Sequence, residues 1–490
     1  MRLLFCCEFY FPSVGGVQEV MRQLAERMVQ RGHDVTVATT RLAERSFSEH
    51  NGVRIVEFGI SGNAVRGIEG EVERYREFVT GFDGDAILIK AAQQWTFDAL
   101  WPVLDEIRAR KVFIPCGFSG LYEPTYEQYF RDLPDILRRF DHLIFYAERY
   151  RDIDFARQHR LEHRSILPNG ASETEFGVEM DRDFRSRQGI PDDSFVFLTV
   201  GSMTGVKGHR EVLEAFAKLQ SGGRNVTLIL NGNPPPAPVV VRTTAAQGAG
   251  APSSAGDAMQ GLATGRLRAA ATYLNRRVRR VAGLSWRFWG VVRREGYQGV
   301  RSRVHALAAR KIQAAGHSGL LPRRMRKTMD PIHFWAERAA RQPHKQVLKV
   351  DLPRPELVQA FKNADLFVFA SNIEYSPLVL FETAAAGTPF LSVPVGNADE
   401  IARWTGGGEI CQAPKDERGY TRVDPEVLAG EMKRMMADPA RLAGLGETAH
   451  ARWQEQFTWA RIAERYEAIL QGDMSPEATE SGGEPDAMRA

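Results

Sequence analysis

The sequence has few cysteines, and they form no motif. Of 490 residues only four are cysteine, Cys6, Cys7, Cys116 and Cys411. None belongs to a CxxC pair or to a Cys/His cluster with the spacing of metal ligands, which excludes a zinc ribbon and a thiol redox motif. We therefore expect buried thiols in a reducing compartment.

Long apolar runs are also missing. No stretch reaches the roughly 18 to 20 uncharged apolar residues that a membrane-spanning helix needs. The apolar residues 3–11 are interrupted by Glu8 and end at Pro12, so they are too short for the core of a signal peptide and predict a first β-strand. These absences predict a cytoplasmic protein, which could also attach to the inner face of the cell membrane.

What is present is an alternation of strand and helix patterns. Residues 1–40 read as a strand, a glycine loop, an amphipathic helix and a second strand, and residues 195–232 repeat this plan. Such alternation predicts an α/β fold with mainly parallel sheets. With 43% hydrophobic residues, the chain is long enough for two cores. We predict two Rossmann-like domains facing each other across a cleft.

The predicted boundaries follow from these patterns. The first domain spans residues 1–178, and the second consists of residues 179–233 and 346–450. A helix at residues 451–471 has apolar residues at helical spacing and is predicted to pack rather than to catalyse. Residues 472–490 are predicted to be a disordered tail.

The second domain is interrupted by a basic insertion at residues 234–345. Its first part is rich in Pro, Gly, Ala and Ser, which predicts a flexible linker. Residues 264–314 have a helical apolar stripe flanked by arginines, formed by Leu267, Leu274, Val278, Val281, Phe288 and Val292. This pattern is typical of a helix on an anionic membrane surface. The alternatives are that the stripe packs against the second domain, or that the segment binds nucleic acid, which we consider less consistent with an amphipathic helix.

The segment EYSPLVLFE carries the strongest functional pattern. Glu374 and Glu382 stand eight residues apart, and Pro377 between them suits the first turn of a helix. The free amides that follow, at Leu378 and Val379, could then face an anion. A loop carboxylate, a helix N-terminus and a helical carboxylate suit a sugar, a diphosphate and a ribose, respectively.

A second loop carries a cation. In VGSMTGVKGH a strand is followed by Ser202 and then by Lys207, directly before Gly208 and a predicted helix. A lysine at this place could reach a diphosphate. The first loop of the chain carries adjacent glycines, Gly15 and Gly16, which permit close approach of a ligand to a helix N-terminus.

These motifs resemble those of family-four retaining glycosyltransferases with the GT-B fold. The resemblance covers nearly the whole chain except residues 234–345 and the tail. It implies a nucleoside-diphosphate sugar as co-substrate, with no cofactor and no metal ion. It also implies that Glu374 and Lys207 are catalytic, that Glu382, Ser202, Pro377, Leu378 and Val379 bind the donor, and that Gly15 and Gly16 face the cleft.

The chain departs from this family at two places. Members usually have an arginine where Ser202 stands, so half of the usual cationic clamp is missing, and Arg210 or an arginine of the insertion could compensate. Many members also have a cleft histidine where this chain has Cys116, Gly117 and Phe118. With no visible general base, we expect the leaving diphosphate to accept the acceptor proton.

Other polar residues are expected to be structural. His33 is predicted to be a helix-end residue and His142 to begin a strand. Asn169 and Gly170 match the interdomain stretch of the family, where a hinge role and a binding role are equally expected. The two DxD motifs, residues 83–85 and 152–154, are not predicted to bind a metal, because the first opens a strand and the second lies in a helical run.

The sequence therefore predicts a retaining hexosyltransferase that uses a cell-surface polysaccharide, a lipid-linked glycan or another glycan as acceptor. The alternatives are a GT-B nucleotide-sugar epimerase or hydrolase, and a non-catalytic protein that binds nucleic acid or acts as a scaffold. An epimerase or hydrolase would turn over a nucleotide sugar without an acceptor. A non-catalytic protein is less consistent with the joint presence of Glu374, Glu382 and Lys207.

Overall fold

The computed structural model describes residues 1–232 and 330–473. All of these except residues 330–335 belong to one compact unit, which contains two β-sheets. The predicted linker and the amphipathic stretch at residues 264–314 lie outside the described residues, as does the predicted tail beyond residue 473. Within the described part of the chain, no helix is long and apolar enough to cross a membrane.

The first sheet has eight strands in the order β10-β9-β8-β7-β1-β2-β4-β3. Neighbouring strands are parallel, except that β3 runs antiparallel to β4. The strands are β1 (Arg2–Cys6), β2 (Asp34–Thr40), β3 (Glu49–His50), β4 (Val53–Phe58), β7 (Ala86–Lys90), β8 (Arg110–Ile114), β9 (His142–Phe145) and β10 (Arg164–Ile166). A separate antiparallel hairpin consists of β5 (Ile60–Asn63) and β6 (Gly67–Gly70).

The helices that accompany the first sheet are α1 (Gly16–Gln30), α2 (Val72–Thr80), α3 (Trp95–Asp98), α4 (Glu127–Leu137) and α5 (Arg151–Gln158). Two 3₁₀ helices, Trp101–Glu106 and Pro124–Tyr126, belong to the same region. We call this sheet with its helices the first domain. The short helices α6 (Glu173–Phe176) and α7 (Phe184–Arg187) follow β10.

The second sheet has six parallel strands in the order β13-β12-β11-β14-β15-β16. They are β11 (Phe195–Val200), β12 (Val226–Asn231), β13 (Lys345–Val350), β14 (Leu366–Phe369), β15 (Phe390–Ser392) and β16 (Gly408–Ile410). This is the 3-2-1-4-5-6 order of a doubly wound sheet, in which ligands bind outside the carboxyl ends of the two central strands.

The remaining helices are α8 (His209–Lys218), α9 (Pro331–Ala340), α10 (Arg354–Asn363), α11 (Leu378–Ala386), α12 (Ala398–Thr405), α13 (Pro425–Met436), α14 (Pro439–Arg452) and α15 (Trp459–Gln471). A π-helical turn, Trp453–Phe457, connects the last two. We call the second sheet with α8 and α10–α14 the second domain. Helix α9 and the first residue of β13 lie inside the predicted insertion, so regular structure resumes before residue 346.

Residues of β1 alternate between two cores on opposite faces of the first sheet. Leu4 and Cys6 belong to one core, and Leu3 and Phe5 to the other. The second core also contains six buried residues of α15, namely Trp459, Ile462, Ala463, Tyr466, Ile469 and Leu470. The C-terminal helix therefore packs against the first sheet.

Candidate functional site

Two loops meet at the carboxyl ends of the central strands of the second sheet. One follows β11 and carries Lys207, and the other follows β14 and carries Glu374. The loops are hydrogen-bonded, because the N–H of Asn372 donates to the carbonyl of Val206 at 2.8 Å. Since β11 and β14 are the strands at which the strand order reverses, this edge is the expected ligand site of such a sheet.

Gly208 allows the two loops to approach closely. It has φ +74°, and a Cβ atom there would lie 2.0 Å from the carbonyl oxygen of Ala370. No other residue fits this position without moving one of the loops. The approach brings the ammonium of Lys207 to the carboxylate of Glu374, and the two form an ion pair. Their side chains remain 27% and 18% exposed, so both groups are accessible.

Helix α11 begins next to this ion pair. Pro377 is the residue before the helix rather than part of its first turn, so the helix starts one position later than predicted. The N–H groups of Leu378 and Val379 are in the first turn and have no acceptor within the helix. A helix N-terminus with free N–H groups therefore follows the loop that carries Glu374, and such a terminus can bind an anion.

Glu382 lies further along α11 and is paired with Arg354. The carboxylate is 2.6 Å from the guanidinium, and Arg354 also contacts Glu175 at 2.6 Å. Burial raises the pKa of Glu382 above its ordinary value, against the opposing effect of Arg354. Arg354 thus opposes the effect of burial on the pKa of this carboxyl group without cancelling it. The sequence pattern did not reveal this partner.

The glycine loop lies close to α11. A Cβ atom on Gly16 would be 3.8 Å from Cδ1 of Leu378. Gly15 has φ 170°, which is extended backbone that any residue adopts, and the space beside it is occupied by Gln18. The glycine at this position is therefore not required by backbone conformation.

A small cleft lies close to the start of α1. It is bordered by residues of α1, α6, α10, α11 and α15, among them Glu19, Glu175, Arg354, Leu378, Glu382 and Trp459. Asn169 lies at its edge, where its amide donates to the carbonyl of Ser376 at 3.2 Å while its side-chain oxygen is buried without a partner. The amide links the loop after β14 to the stretch between the sheets, as a hinge residue would.

Ser202 follows β11 and is half-buried, with its carbonyl accepting from the N–H of Thr204. Arg210 lies exposed in the first turn of α8 and forms no ion pair with the described residues. The arginines of the insertion that we considered as substitutes lie outside the described residues. Lys207 is thus the cation that the described residues place beside Glu374.

His33 and His142, the two histidines considered in the sequence, form hydrogen bonds with other parts of the first domain or with α15. His33 contacts the N-terminal amine and the carboxylate of Glu467, and His142 contacts the hydroxyl of Ser165. Asp152, from the second DxD motif, is fully buried and accepts from the N–H of Gly117 at 2.9 Å. Its neighbour Asp154 pairs instead with Arg157 on the same helix.

Two carboxyl groups of the first domain have raised pKa values. Glu8 is the second residue after β1, and burial raises its pKa to about 7, with a further contribution from the charge of Asp98. Burial raises the pKa of Asp98 to about 6, although this carboxylate accepts hydrogen bonds from the N–H of Ala64 and the hydroxyl of Tyr129. In the sequence, Glu8 was only the residue that interrupts an apolar run.

Comparison with known proteins finds sequence matches to part of the chain. Residues 336–450 match the family model of the glycosyl transferases group 1. Over 127 residues the chain is 34% identical to a D-inositol 3-phosphate glycosyltransferase of Thermobispora bispora, covering 25% of this chain and 28% of that protein. It is 30% identical over 130 residues to a glycogen synthase of Mycobacterium tuberculosis, covering 26% and 29%, respectively. The matches thus span less than a third of these relatives.

Solved structures match the chain over most of its length. HepE of Anabaena, in complex with UDP and glucose, has a TM-score of 0.60 at 15% identity and covers 96% of this chain and 100% of its own. Sucrose-phosphate synthase of Thermosynechococcus elongatus has a TM-score of 0.59 at 16% identity, covering 96% and 98%. At this identity the likeness shows the fold, which is the predicted GT-B arrangement of two Rossmann-like sheets.

Proposed function

We propose that this protein, which has the GT-B fold and carries a glycosyl transferases group 1 domain at residues 336–450, transfers a sugar from a nucleoside-diphosphate sugar to an acceptor hydroxyl. The meeting of Lys207, Glu374 and the N-terminus of α11 at one sheet edge carries this proposal. The cation and the free amides suit a diphosphate, and the carboxylate suits the hydroxyls of a sugar. Glu382 is assigned to the ribose.

The arrangement supports transfer with retention of configuration. The bond between the anomeric carbon and the diphosphate oxygen breaks, and the diphosphate leaves with the electron pair. The acceptor oxygen then bonds to the anomeric carbon on the same face, and its proton passes to the oxygen that has just left. Lys207 and the amides of Leu378 and Val379 stabilise the departing charge, which is why we infer that no metal ion is needed.

The ion pair between Lys207 and Glu374 must exchange partners when the donor binds. The lysine turns to the diphosphate, and the carboxylate accepts hydrogen bonds from the sugar. In this exchange Lys207 gains the negative charge of the diphosphate, and Glu374 gains hydrogen-bond donors from the sugar. Neither side chain is therefore left unpaired in a partly buried site. The pair therefore serves as a preorganised resting state for the donor site.

For the acceptor we propose a glycan, either a cell-surface polysaccharide or a lipid-linked chain. The two curated relatives support a range of acceptors rather than one, since their names contain an inositol phosphate and a polysaccharide. The basic residues 264–314 support attachment to an anionic membrane, where a lipid-linked acceptor would be available.

A nucleotide-sugar panel tests the proposal. Nucleoside diphosphates and their sugars, beginning with UDP and UDP-glucose, are compared by thermal stabilisation and by release of nucleoside diphosphate with and without glycan acceptors. A ligand at 100 times its Kd adds about 2.7 kcal/mol of stability. Release that depends on an acceptor supports transfer, whereas equal release without one would indicate a hydrolase. The absence of both stabilisation and release across the panel would exclude the proposed function.

A further inference from the structure

The residue after Glu374 reaches from the second domain into the first. The hydroxyl of Tyr375 accepts from the N–H of Tyr146 at 3.0 Å and hydrogen-bonds to the carboxylate of Asp152. Its ring lies 4.7 Å from the ring of Tyr150 and 5.6 Å from that of Tyr146. The side chain is partly buried and packs against first-domain residues, although the main chain belongs to the loop after β14.

The first domain is shaped to receive this ring. Gly117 has φ +86°, and a Cβ atom there would lie 2.9 Å from Cγ of Tyr375. Its neighbours Cys116 and Phe118 also have positive φ values, of 61° and 46°. Such a run of left-handed residues is strained in a chain of L-amino acids and persists only where its surroundings fix it. Here the N–H of Gly117 is fixed by Asp152, the carboxylate that also meets Tyr375.

A second tyrosine reaches in the opposite direction. The hydroxyl of Tyr150, the residue directly before the first domain's α5, donates to the main-chain carbonyl of Glu374 at 2.8 Å. Within the second domain, the N–H of Asn397 donates to the carbonyl of Tyr375 at 2.9 Å. The main chain of Glu374 is therefore held from the first domain, while its carboxylate faces Lys207 of the second.

Further contacts fix the same interface. The side chain of Asn397 donates to the carbonyl of Tyr146 at 2.9 Å. The carboxylate of Glu400 in α12 accepts from the N–H groups of Glu148 and Arg149, each at 2.8 Å. These bonds join the loop after β9 to α12, so the two tyrosines belong to an extensive interface rather than to an isolated contact.

We propose that Tyr150 and Tyr375 are positioning residues that set the carboxylate of Glu374 from across the domain interface. The inference rests on the proposed function, since Glu374 is there assigned to the donor sugar. Its consequence is that the sugar is held in reacting geometry only while the two domains are in contact at these tyrosines. A displacement of a positioned group by about 1 Å is enough to lower a rate roughly 100-fold.

The test compares Tyr150→Phe and Tyr375→Phe with the matched control Tyr75→Phe. Tyr75 is also buried, and its hydroxyl donates to the carbonyl of Thr96 at 2.6 Å within the first domain. Each protein is titrated with UDP and UDP-glucose, or with the nucleotide and nucleotide sugar that the panel selects, and its donor turnover is measured. We expect kcat/KM for the donor to fall about 10-fold or more in Tyr150→Phe and Tyr375→Phe. We expect Kd for the nucleoside diphosphate to change less than about twofold, and the control to match the parent in both measurements.

A double-mutant cycle separates positioning from a general loss of stability. Because Tyr150 acts through Glu374, adding Tyr150→Phe to Glu374→Gln should cause little further loss, whereas adding Tyr75→Phe should behave additively. Full additivity of Tyr150→Phe with Glu374→Gln, or turnover equal to that of the control, would overturn the inference while leaving the proposed function intact. If the parent protein itself neither bound nor turned over any nucleotide sugar, the proposed function would fail first.

Discussion

Lys207 and Glu374 form an ion pair although 167 positions separate them in the sequence. Each follows a central strand of the second sheet, and the hydrogen bond from Asn372 to Val206 ties their loops together. The pair occupies the place where a diphosphate and a sugar are proposed to bind. Because each partner neutralises the other, removing either affects stability as well as the ligand group that the lost side chain is proposed to bind, and the two effects must be separated.

The first prediction concerns Lys207→Ala. We expect kcat/KM for the donor to fall, because one preorganised cation is lost beside the departing diphosphate. The fall corresponds to a loss of roughly 2 to 4 kcal/mol in transition-state stabilisation. The control is Lys218→Ala, since Lys218 is similarly exposed and paired with Glu214 and Glu426, but lies at the other end of α8. Steady-state kinetics and thermal unfolding of both variants decide the matter. Near-normal kcat/KM in Lys207→Ala would refute the assignment of Lys207.

The second prediction separates the two acidic residues of EYSPLVLFE. Glu382→Gln should weaken binding of nucleoside diphosphate itself, because the ribose loses the carboxyl group that is proposed to bind it. Glu374→Gln should leave nucleoside diphosphate binding unchanged and impair binding and turnover of the nucleotide sugar. Calorimetric titration with both ligands measures the difference.

Glu214→Gln is the control for this pair, because Glu214 is buried and ion-paired on α8 without facing the cleft. It should bind both ligands like the parent. In Glu382→Gln, Arg354 keeps Glu175 as its partner, so we expect the protein to fold. Parent-like binding of both ligands by both acidic variants would contradict the donor-site assignment.

The sequence was sufficient for the parts of the site that depend on local order. Strand patterns before Ser202 and before Glu374 placed both loops at the carboxyl ends of parallel strands, and the structure brings Lys207 and Glu374 together there. The helix after Pro377 could be predicted because proline and an apolar run mark its beginning. These inferences needed only residues that are close in the chain.

The contacts between distant segments could not be predicted. Arg354 opens α10 and has no local motif, so its pairing with Glu382 and Glu175 follows only from the way α6, α10 and α11 pack. Tyr375 lies in the EYSPLVLFE motif, but the sequence interpretation concerned its neighbour Glu374. Its burial in the first domain depends on Gly117 and Asp152, which lie more than 200 positions away. Periodicity carries no information about such pairs.

The third prediction is a pH dependence at Glu8. Its pKa is about 7 in the folded protein and 4.5 as an ordinary carboxyl group. The raised value means that the contribution of Glu8 to stability is fully present below about pH 4.5 and is lost as the pH rises through about 7. Glu8→Gln removes the buried charge. We therefore expect the variant to gain stability relative to the parent as the pH rises, by up to about 3 kcal/mol.

Thermal unfolding of parent and Glu8→Gln at pH 5 and pH 8 measures this gain. Asp98→Asn serves as a comparison, because Asp98 accepts from the N–H of Ala64 and the hydroxyl of Tyr129 and loses part of that bonding on substitution. The stability of Asp98→Asn relative to the parent should therefore be lower than that of Glu8→Gln at both pH values. A Tm difference between Glu8→Gln and the parent that is the same at pH 5 and pH 8 would show that Glu8 does not carry a raised pKa.

The last prediction concerns the basic insertion, whose apolar stripe and arginines lie outside the described residues. We expect the full chain to bind vesicles of anionic phospholipid at low salt and to dissociate as salt is added, since each basic residue near such a surface contributes about 1 kcal/mol and salt screens it.

Ala339 in α9 is completely buried, so a deletion that reaches residue 340 would damage the fold. Removing residues 240–328 spares α9 and should abolish vesicle binding while nucleotide binding persists. Vesicles of neutral phospholipid are the control for charge. If the full chain ignored anionic vesicles at low salt, or if the shortened chain failed to fold, we would conclude that the stripe packs against the second domain.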